Sequence, residues 1–173
     1  MNQSQARGSW VDPGYDVTTD LELRVPRQTR LRLKTVSGSI ISKNVAGDFD
    51  VEGINGSVDL KDLSGSGRVH TINGAINAVF NSSPKSTSSF GSINGIIDVT
   101  FPRNLSADIR FKSFNGGVYT DFPITPVPSA TAQEIRSGRI LFKNEFSSAR
   151  IGTGGPVIEF DGFNGDVRIR QAK

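Results

Sequence analysis

The stretch Ile54-Asn55-Gly56-Ser57-Val58, which returns as Ile72-Asn73-Gly74-Ala75-Ile76, decides the fold of this chain. Six related units occur, and the steps between their glycines are 18, 18, 21, 21 and 49 residues. Repetition of one unit at a nearly constant spacing is the signature of a repeat architecture. The turn residues of the units are Gly38, Gly56, Gly74, Gly95, Gly116 and Gly165, preceded in all but the first by Asn55, Asn73, Asn94, Asn115 and Asn164.

The sequence between the first units alternates in the way that a half-buried strand requires. After Gly56, Val58 and Leu60 alternate with Asp59 and Lys61. A period of two residues is typical of strands, because apolar positions of a helix recur every three to four residues. A second glycine series lies nine residues after the first, so each early repeat divides into two half-units. These patterns predict an all-β chain with two strands per repeat.

Two architectures have this period. One is a single-stranded β-solenoid with about 18–21 residues per coil, and the alternative is an antiparallel β-meander or sandwich. Stacking of one early repeat on the next would place Asp50 beside Arg68 and Glu52 beside His70, and opposite charges in such positions are favourable. The same stacking would align asparagines whose amides bond along the stack. These features favour the solenoid, with an expected column of Asn55, Asn73, Asn94 and Asn115.

The chain is expected to form one domain. Residues 1–18 are predicted to be a flexible lead-in, and residues 19–173 a single solenoid with a proline-rich insertion near 122–138. Leu21, Leu23 and Val25 alternate ahead of Pro26, which predicts a strand that caps the first coil. The first residues do not resemble a signal peptide, and no apolar run approaches the ~20 residues that span a bilayer.

Composition excludes several classes of site. The chain has no cysteine and one histidine, which rules out disulfides, thiolate metal centres and a cysteine nucleophile. His70 is expected to pair with Glu52, and Asp59 to stack with Ile41, Asn77 and Asp98, which leaves the acids isolated. We therefore predict no catalytic residue, no metal site and no cofactor. A polysaccharide-acting solenoid enzyme is the alternative, since such enzymes gather carboxylates on one face.

Local clustering of basic residues is the feature that suggests a binding function, although the net charge is only +3. Five basic residues fall within eleven positions, and they could bind an anionic envelope polymer, a glycan or an envelope protein. The competing interpretation is a solvated cap that prevents edge-to-edge aggregation. Aromatic residues are not interleaved with these charges, so nucleic acid is not expected as a partner. The basic residues are Arg24, Arg27, Arg30, Arg32 and Lys34.

The order of motifs over about residues 20–170 resembles a bacterial adhesin-like domain family of unknown function, related to autotransporter-adhesin head domains with Gly-Ile-Asn repeats. The resemblance implies a β-solenoid that is exported to the periplasm or cell surface, acts as a non-enzymatic binding or scaffold module, and has no established catalytic residues. The motifs are the early strand Leu21–Pro26, the Ile-Asn-Gly units, Val99-Thr100-Phe101-Pro102, Asp121-Phe122-Pro123, and Ile151-Gly152-Thr153-Gly154-Gly155-Pro156 before Phe163-Asn164-Gly165-Asp166-Val167.

Overall fold

The structure is a computed structural model that describes residues 20–127, 133–136, 139–142 and 146–173. Over these residues the chain is all-β, as predicted, with sixteen strands and no helix. The strands are β1 (Leu31–Ser37), β2 (Ile40–Lys43), β3 (Phe49–Asn55), β4 (Val58–Leu63), β5 (Gly67–Asn73), β6 (Ile76–Phe80), β7 (Ser88–Asn94), β8 (Ile97–Phe101), β9 (Ala107–Asn115), β10 (Val118–Thr120), β11 (Ile124–Val127), β12 (Gln133–Arg136), β13 (Arg139–Phe142), β14 (Ser147–Ile151), β15 (Val157–Asn164) and β16 (Val167–Gln171).

The strands form two large sheets, in each of which most neighbours are parallel. Sheet A has the order β1-β3-β5-β7-β15-β9-β14-β11, sheet B has the order β10-β16-β8-β6-β4-β2, and β12 and β13 form a separate antiparallel pair. Each repeat gives one strand to sheet A and the next to sheet B. Repeats 1 to 4 are β1/β2, β3/β4, β5/β6 and β7/β8, repeat 5 is β9/β10, and repeat 6 is β15/β16.

Positions that are one repeat length apart lie side by side in the first repeats. Leu31 pairs with Phe49, and Phe49 pairs with Gly67, in parallel register. The expected neighbours Asp50 and Arg68 are also opposite each other. Strands β1 to β8 therefore do not pair with the next strand along the chain, as an antiparallel meander would require.

The two sheets share one hydrophobic core. Phe49 of sheet A lies 6.3 Å from Phe80 of sheet B, measured between ring centroids, and Phe80 meets Phe90 edge to face at 6.1 Å. Phe80 stacks on Phe101 at 4.9 Å, and Phe90 on Phe160 at 5.6 Å. Full burial of a phenylalanine side chain contributes about 1.5–3 kcal/mol. Contacts between these buried rings therefore connect repeats 2, 3, 4 and 6 in the core.

The last repeat in sequence lies inside the array rather than at its end. Strand β15 pairs in parallel with both β7 and β9, and β16 pairs with both β8 and β10. The expected stacking of Asn115 on Asn94 is therefore wrong, because Asn164 lies between them. Asn115 and Asn164 belong to equivalent units, so sequence spacing alone could not predict which of them stacks on Asn94.

In the spatial order of sheet A, the parallel pairing ends at β9. Strand β14 pairs antiparallel with β9, and β11 pairs antiparallel with β14. The proline-rich insertion predicted near 122–138 thus contributes β11 to the end of sheet A and β12 to the separate pair. Residues 128–132 and 137–138 of that insertion, and the predicted lead-in at residues 1–18, lie outside the described residues.

The predicted capping strand at Leu21, Leu23 and Val25 is not formed, and these side chains are 78%, 65% and 51% exposed. The register explains why. The carbonyl of Arg27 accepts hydrogen bonds from the backbone N–H groups of Ala46 and Gly47, which fixes the corner before β1 over the next corner. If the segment kept the offset of the early repeats, Leu23 would lie beside the exposed Ile41, and Glu22 beside the inward-facing Ile40. A strand in that register would bury charge and expose leucine.

The described residues contain no helix that is long and apolar enough to cross a membrane.

Candidate binding surface

The predicted asparagine column exists and is continuous through five repeats. Each asparagine after Asn55 donates a hydrogen bond from Nδ2 to Oδ1 of the preceding member of the column at 2.8–2.9 Å. A side-chain amide has two N–H donors and an oxygen with two lone pairs. Each inner asparagine therefore keeps one donor and one lone pair beyond its bonds along the column. The order of this asparagine ladder is Asn55, Asn73, Asn94, Asn164 and Asn115.

The glycines of the same corners allow the repeats to approach closely. A Cβ added to Gly74 would collide with the carbonyl oxygen of Gly56, and one added to Gly95 would collide with that of Gly74. The same contact recurs at Gly165 and Gly116. Only glycine can occupy these positions without displacing the neighbouring repeat. The turn glycines are thus brought into one column beside the asparagine ladder.

An exposed apolar row runs along the outer face of sheet A, next to the ladder. Its members are the residues immediately before each ladder asparagine and before Ser37, which pairs with Asn55. Strand alternation turns these side chains outward, while the residue before each of them is buried or partly buried. Val36 is 66% exposed and Phe114 is 61% exposed, whereas Ile72 is half-buried. We call this set the apolar row, and it consists of Val36, Ile54, Ile72, Ile93, Phe163 and Phe114.

The two aromatic members lie together at one end of the apolar row. The rings of Phe114 and Phe163 are stacked with centroids 4.9 Å apart and planes within 3° of each other. Since Phe163 is also 47% exposed, this stack presents a rigid apolar surface to solvent. Aromatic pairs of this kind contribute about 0.5–1.5 kcal/mol beyond burial of their area.

A shallow depression of about 320 Å³ lies at the other end of the apolar row. Val36, Ile54 and Ile72 form its apolar side, while Glu52 and His70 belong to its polar side. Ligand sites commonly combine an apolar wall with a few polar groups. The depression is therefore the part of the row that can hold an inserted group.

Several charged side chains beside the apolar row are paired with opposite charges on adjacent strands, whereas Arg68 forms no ion pair among the described residues. Arg32 lies 3.3 Å from Asp50, and Lys34 forms an ion pair with Glu52. The hydrogen bond from Lys34 is the main cause that lowers the pKa of Glu52, with further lowering by the positive charges of Lys34, Arg68 and Arg32. At the far end Arg110 lies 3.4 Å from Glu159. The face therefore carries little uncompensated charge.

The basic residues predicted as an anionic-ligand patch are not equivalent in the structure. Arg32 and Lys34 lie on β1 in the ion pairs just described, and Arg24 lies 3.1 Å from Glu22. Arg27 and Arg30 belong to the corner before β1, where the backbone of Arg27 binds the next corner. Among the described residues, Arg27 and Arg30 form no ion pair, whereas Arg24, Arg32 and Lys34 do.

The described acids do not gather into a cluster with one another or with the histidine. His70 is opposite Glu52, as predicted, and its imidazole lies over Gly91. Asp59 accepts a hydrogen bond from Asn77 at 2.8 Å, and Asp98 accepts one from Arg170 at 2.9 Å. Within the part of the chain that the structure describes, no group of three or more His, Cys, Asp or Glu residues could hold a metal ion.

The glycine-rich loop between β14 and β15 has a structural role, since it is hydrogen-bonded to Ser106. Ser106 Oγ donates to the carbonyl of Gly154 at 2.8 Å and accepts from the backbone N–H of Thr153 at 3.0 Å. Beside it Arg150 donates to Asp108 at 2.7 Å. These bonds fix the loop that leads the chain into repeat 6.

Sequence reasoning missed the apolar row, although the signal was present. Val51 and Gly53 face inward, so the parity of the strand places Ile54 outside. An apolar residue recurred at that solvent-facing position in every unit.

Comparisons with protein-family models, with curated proteins and with solved structures found no match to this chain.

Proposed function

We propose that this chain is a non-enzymatic binding and scaffold module of the bacterial cell envelope, and that it is built as a β-solenoid. The solenoid interpretation is supported by parallel pairing between successive early repeats and by corners that lie in register. The exported location and the adhesin-like family are supported by the order of the sequence motifs. The exposed apolar row is the observation that carries the binding function.

An apolar row of this length is costly to leave in water and has no role in the core. Six strands at a spacing of about 4.8 Å extend over about 24 Å. Contiguous exposed apolar surface rimmed by polar groups is typical of an interaction site. Here the rim consists of the asparagine ladder on one side and ion pairs on the other. A long, straight and narrow surface matches an extended partner better than a compact one.

We infer that the partner is a neutral glycan chain. The ion pairs of Arg32, Lys34 and Arg110 leave little net charge to attract a polyanion. Sugar rings have apolar C–H faces that can pack on the row. Their hydroxyl groups can bond to the amide donors and lone pairs that the ladder does not use. The binding surface would thus combine apolar contact with regularly spaced hydrogen bonds.

The first prediction tests the aromatic end of the apolar row. Replacement of both rings, Phe114→Ser with Phe163→Ser, is expected to weaken binding to a neutral polysaccharide by about tenfold, which corresponds to about 1.4 kcal/mol. Binding of the unaltered protein should persist in about 1 M salt, because apolar contact is not screened. Affinity electrophoresis against a panel of neutral and anionic polysaccharides would measure both effects.

The matched control is the double variant Ile41→Ser and Val79→Ser, which removes two exposed apolar side chains from sheet B and should leave binding unchanged. Binding that disappears at high salt and in the variant Arg27→Ser with Arg30→Ser would instead support the basic patch. Release of reducing sugar by the protein would contradict a non-enzymatic role and support the polysaccharide-acting alternative.

A further inference from the structure

The outer edge of β1 is the least protected edge of the two sheets. Of the four terminal strands, β1 has seven residues, whereas β2 and β11 have four and β10 has three. Strand β11 also contains Pro126, which removes a backbone donor. Among the described residues nothing pairs with the outer side of β1. A long unpaired edge of this kind is a template for another strand.

Among the described residues, the core is also less covered at this end than at the inner strands. Leu31 and Leu33 are only partly buried, although they belong to the same columns as Phe49 and Val51, which are 3% and 0% exposed. The difference arises because each inner strand is covered on both sides, whereas β1 is covered on one. A further strand with apolar residues opposite Leu31 and Leu33 would complete the columns.

The pattern that fits this edge can be read from the strand already bound to it. Strand β3 presents alternating apolar and acidic residues, and its Asp50 and Glu52 pair with Arg32 and Lys34. The segment Asp20–Val25 has the same alternation, since Leu21 and Leu23 flank Glu22 and follow Asp20. It is described by the structure, has no strand partner there and exposes all its apolar side chains.

The segment does not lie on the β1 edge of its own chain, although a turn precedes β1. In that turn the N–H of Thr29 donates to the carbonyl of Pro26 at 3.1 Å, and the carbonyl of Arg27 binds Ala46 and Gly47, which holds the turn against the next corner. The current partner of Glu22 is Arg24, in a pair whose side chains are 79% and 90% exposed. Exposed pairs of this kind stabilise little, so Glu22 is available for another cation.

We propose that β1 accepts the segment Asp20–Val25 of a second copy of this chain, so that two copies join at their first repeats by reciprocal exchange of this segment. Leu21 of one copy then lies opposite Leu33 of the other, in either strand direction. Asp20 and Glu22 lie beside Arg32 and Lys34, which repeats the charge pairing made by β3. Exchange between two copies closes on itself, and it satisfies both open edges of β1.

The proposal is tested by mass and by cross-linking. Sedimentation between about 1 µM and 1 mM, which spans moderate to weak dissociation constants, should show a species of twice the 18.6 kDa chain mass. The variant Leu21→Ser with Leu23→Ser should return the mass to that of one chain. Tyr119→Ser, at an exposed position of the opposite end, should leave the doubled mass unchanged. A single-chain mass at every concentration, or a doubled mass that survives the leucine variant, would overturn the proposal.

Cross-linking identifies the contact. Because the chain has no cysteine, each disulfide can form only between the introduced residues. Leu21→Cys protein mixed with Leu33→Cys protein should form disulfide-linked pairs on mild oxidation, because opposed residues in a sheet are within the distance a disulfide spans. Leu21→Cys mixed with Tyr119→Cys should not form them. A disulfide within one chain of the Leu21→Cys and Leu33→Cys double variant would show that the segment caps its own edge, which contradicts exchange between copies.

Discussion

At the scale of single residues, the corner glycines set how closely the repeats approach. Positive φ is a common reason for glycine at a turn, and Gly38, Gly56 and Gly165 do have φ of 109°, 147° and 138°. Gly74 and Gly95 lie outside that region, yet a Cβ there would collide with the carbonyl of the neighbouring repeat. The sequence predicted where glycine is required. The main physical reason, close backbone contact, becomes visible only when the repeats are stacked.

The replacement Gly74→Ala is therefore expected to destabilise the protein by about 3 kcal/mol, because the added Cβ would lie well inside the 3.0 Å limit for real Cβ contacts. Gly38→Ala is the matched variant. No heavy atom lies within 4 Å of its added Cβ, so only backbone strain of about 1–2 kcal/mol applies. Urea unfolding of both variants measures the difference. A larger loss for Gly38→Ala would contradict the role of close approach.

At the scale of elements, the sequence predicted strands and local register better than strand order. The spacing of the early repeats correctly aligned Asp50 with Arg68, because each strand follows its predecessor by one repeat. The place of β15 was not predictable from spacing, since Asn115 and Asn164 begin equivalent units. Ion pairs between residues far apart in sequence join the strands that are neighbours in the sheets. Asp98 binds Arg170 and Arg110 binds Glu159, although neither pair is separated by one repeat length.

The pair of Asp108 and Arg150 joins β9 to β14, and it predicts acid sensitivity at this junction. The hydrogen bond from Arg150 is the main cause that lowers the pKa of Asp108 below its usual value of 3.8, and the N–H of Gly155 also lowers it. A carboxyl group with a lowered pKa stabilises the fold above its unfolded-state value, and this stabilisation is lost as pH falls through the folded-state value. The contribution should therefore be complete at neutral pH and disappear below about pH 4.

Urea midpoints measured between about pH 2 and pH 7 would test this dependence. The isosteric variant Asp108→Asn should be less stable than the unaltered protein at neutral pH, and its stability should fall less steeply in acid. Arg150→Gln should return the pKa of Asp108 toward 3.8, which NMR titration can follow directly. An unchanged pKa in the Arg150 variant would show that this ion pair does not control the carboxyl group.

At the scale of the whole molecule, the closing segment from Val157 to Lys173 holds two parts of the array together. Repeats 1 to 4 lie on one side of repeat 6, and repeat 5 with β14 and β11 lies on the other. The sequence correctly predicted an all-β chain and the position of most strands. Nothing local predicted this arrangement, because it depends on pairing between β15 and β7, whose partner residues are about 70 positions apart.

Separation of the chain into residues 1–152 and 153–173 provides the test at this scale. The long fragment alone should remain protected from proteases over repeats 1 to 4 but be cleaved within β9 and β10, which have lost their parallel neighbours β15 and β16. Addition of the 153–173 peptide should restore protection, since that peptide supplies both missing strands. Equal protection with and without the peptide would show that the inserted repeat is not needed to hold the two parts.

The inserted repeat also determines where the chain leaves the sheets after β16. The N–H of Ala172 donates to the carbonyl of Phe101 at 2.9 Å, and Arg103 Nε donates to the carbonyl of Ala172 at 3.0 Å. The final residues thus emerge from the flank, between the fourth and fifth repeats, and not from either tip. A tether attached at this point would hold the body by its side, with both tips pointing away from the attachment. A pulling load applied there would act on the central seam first.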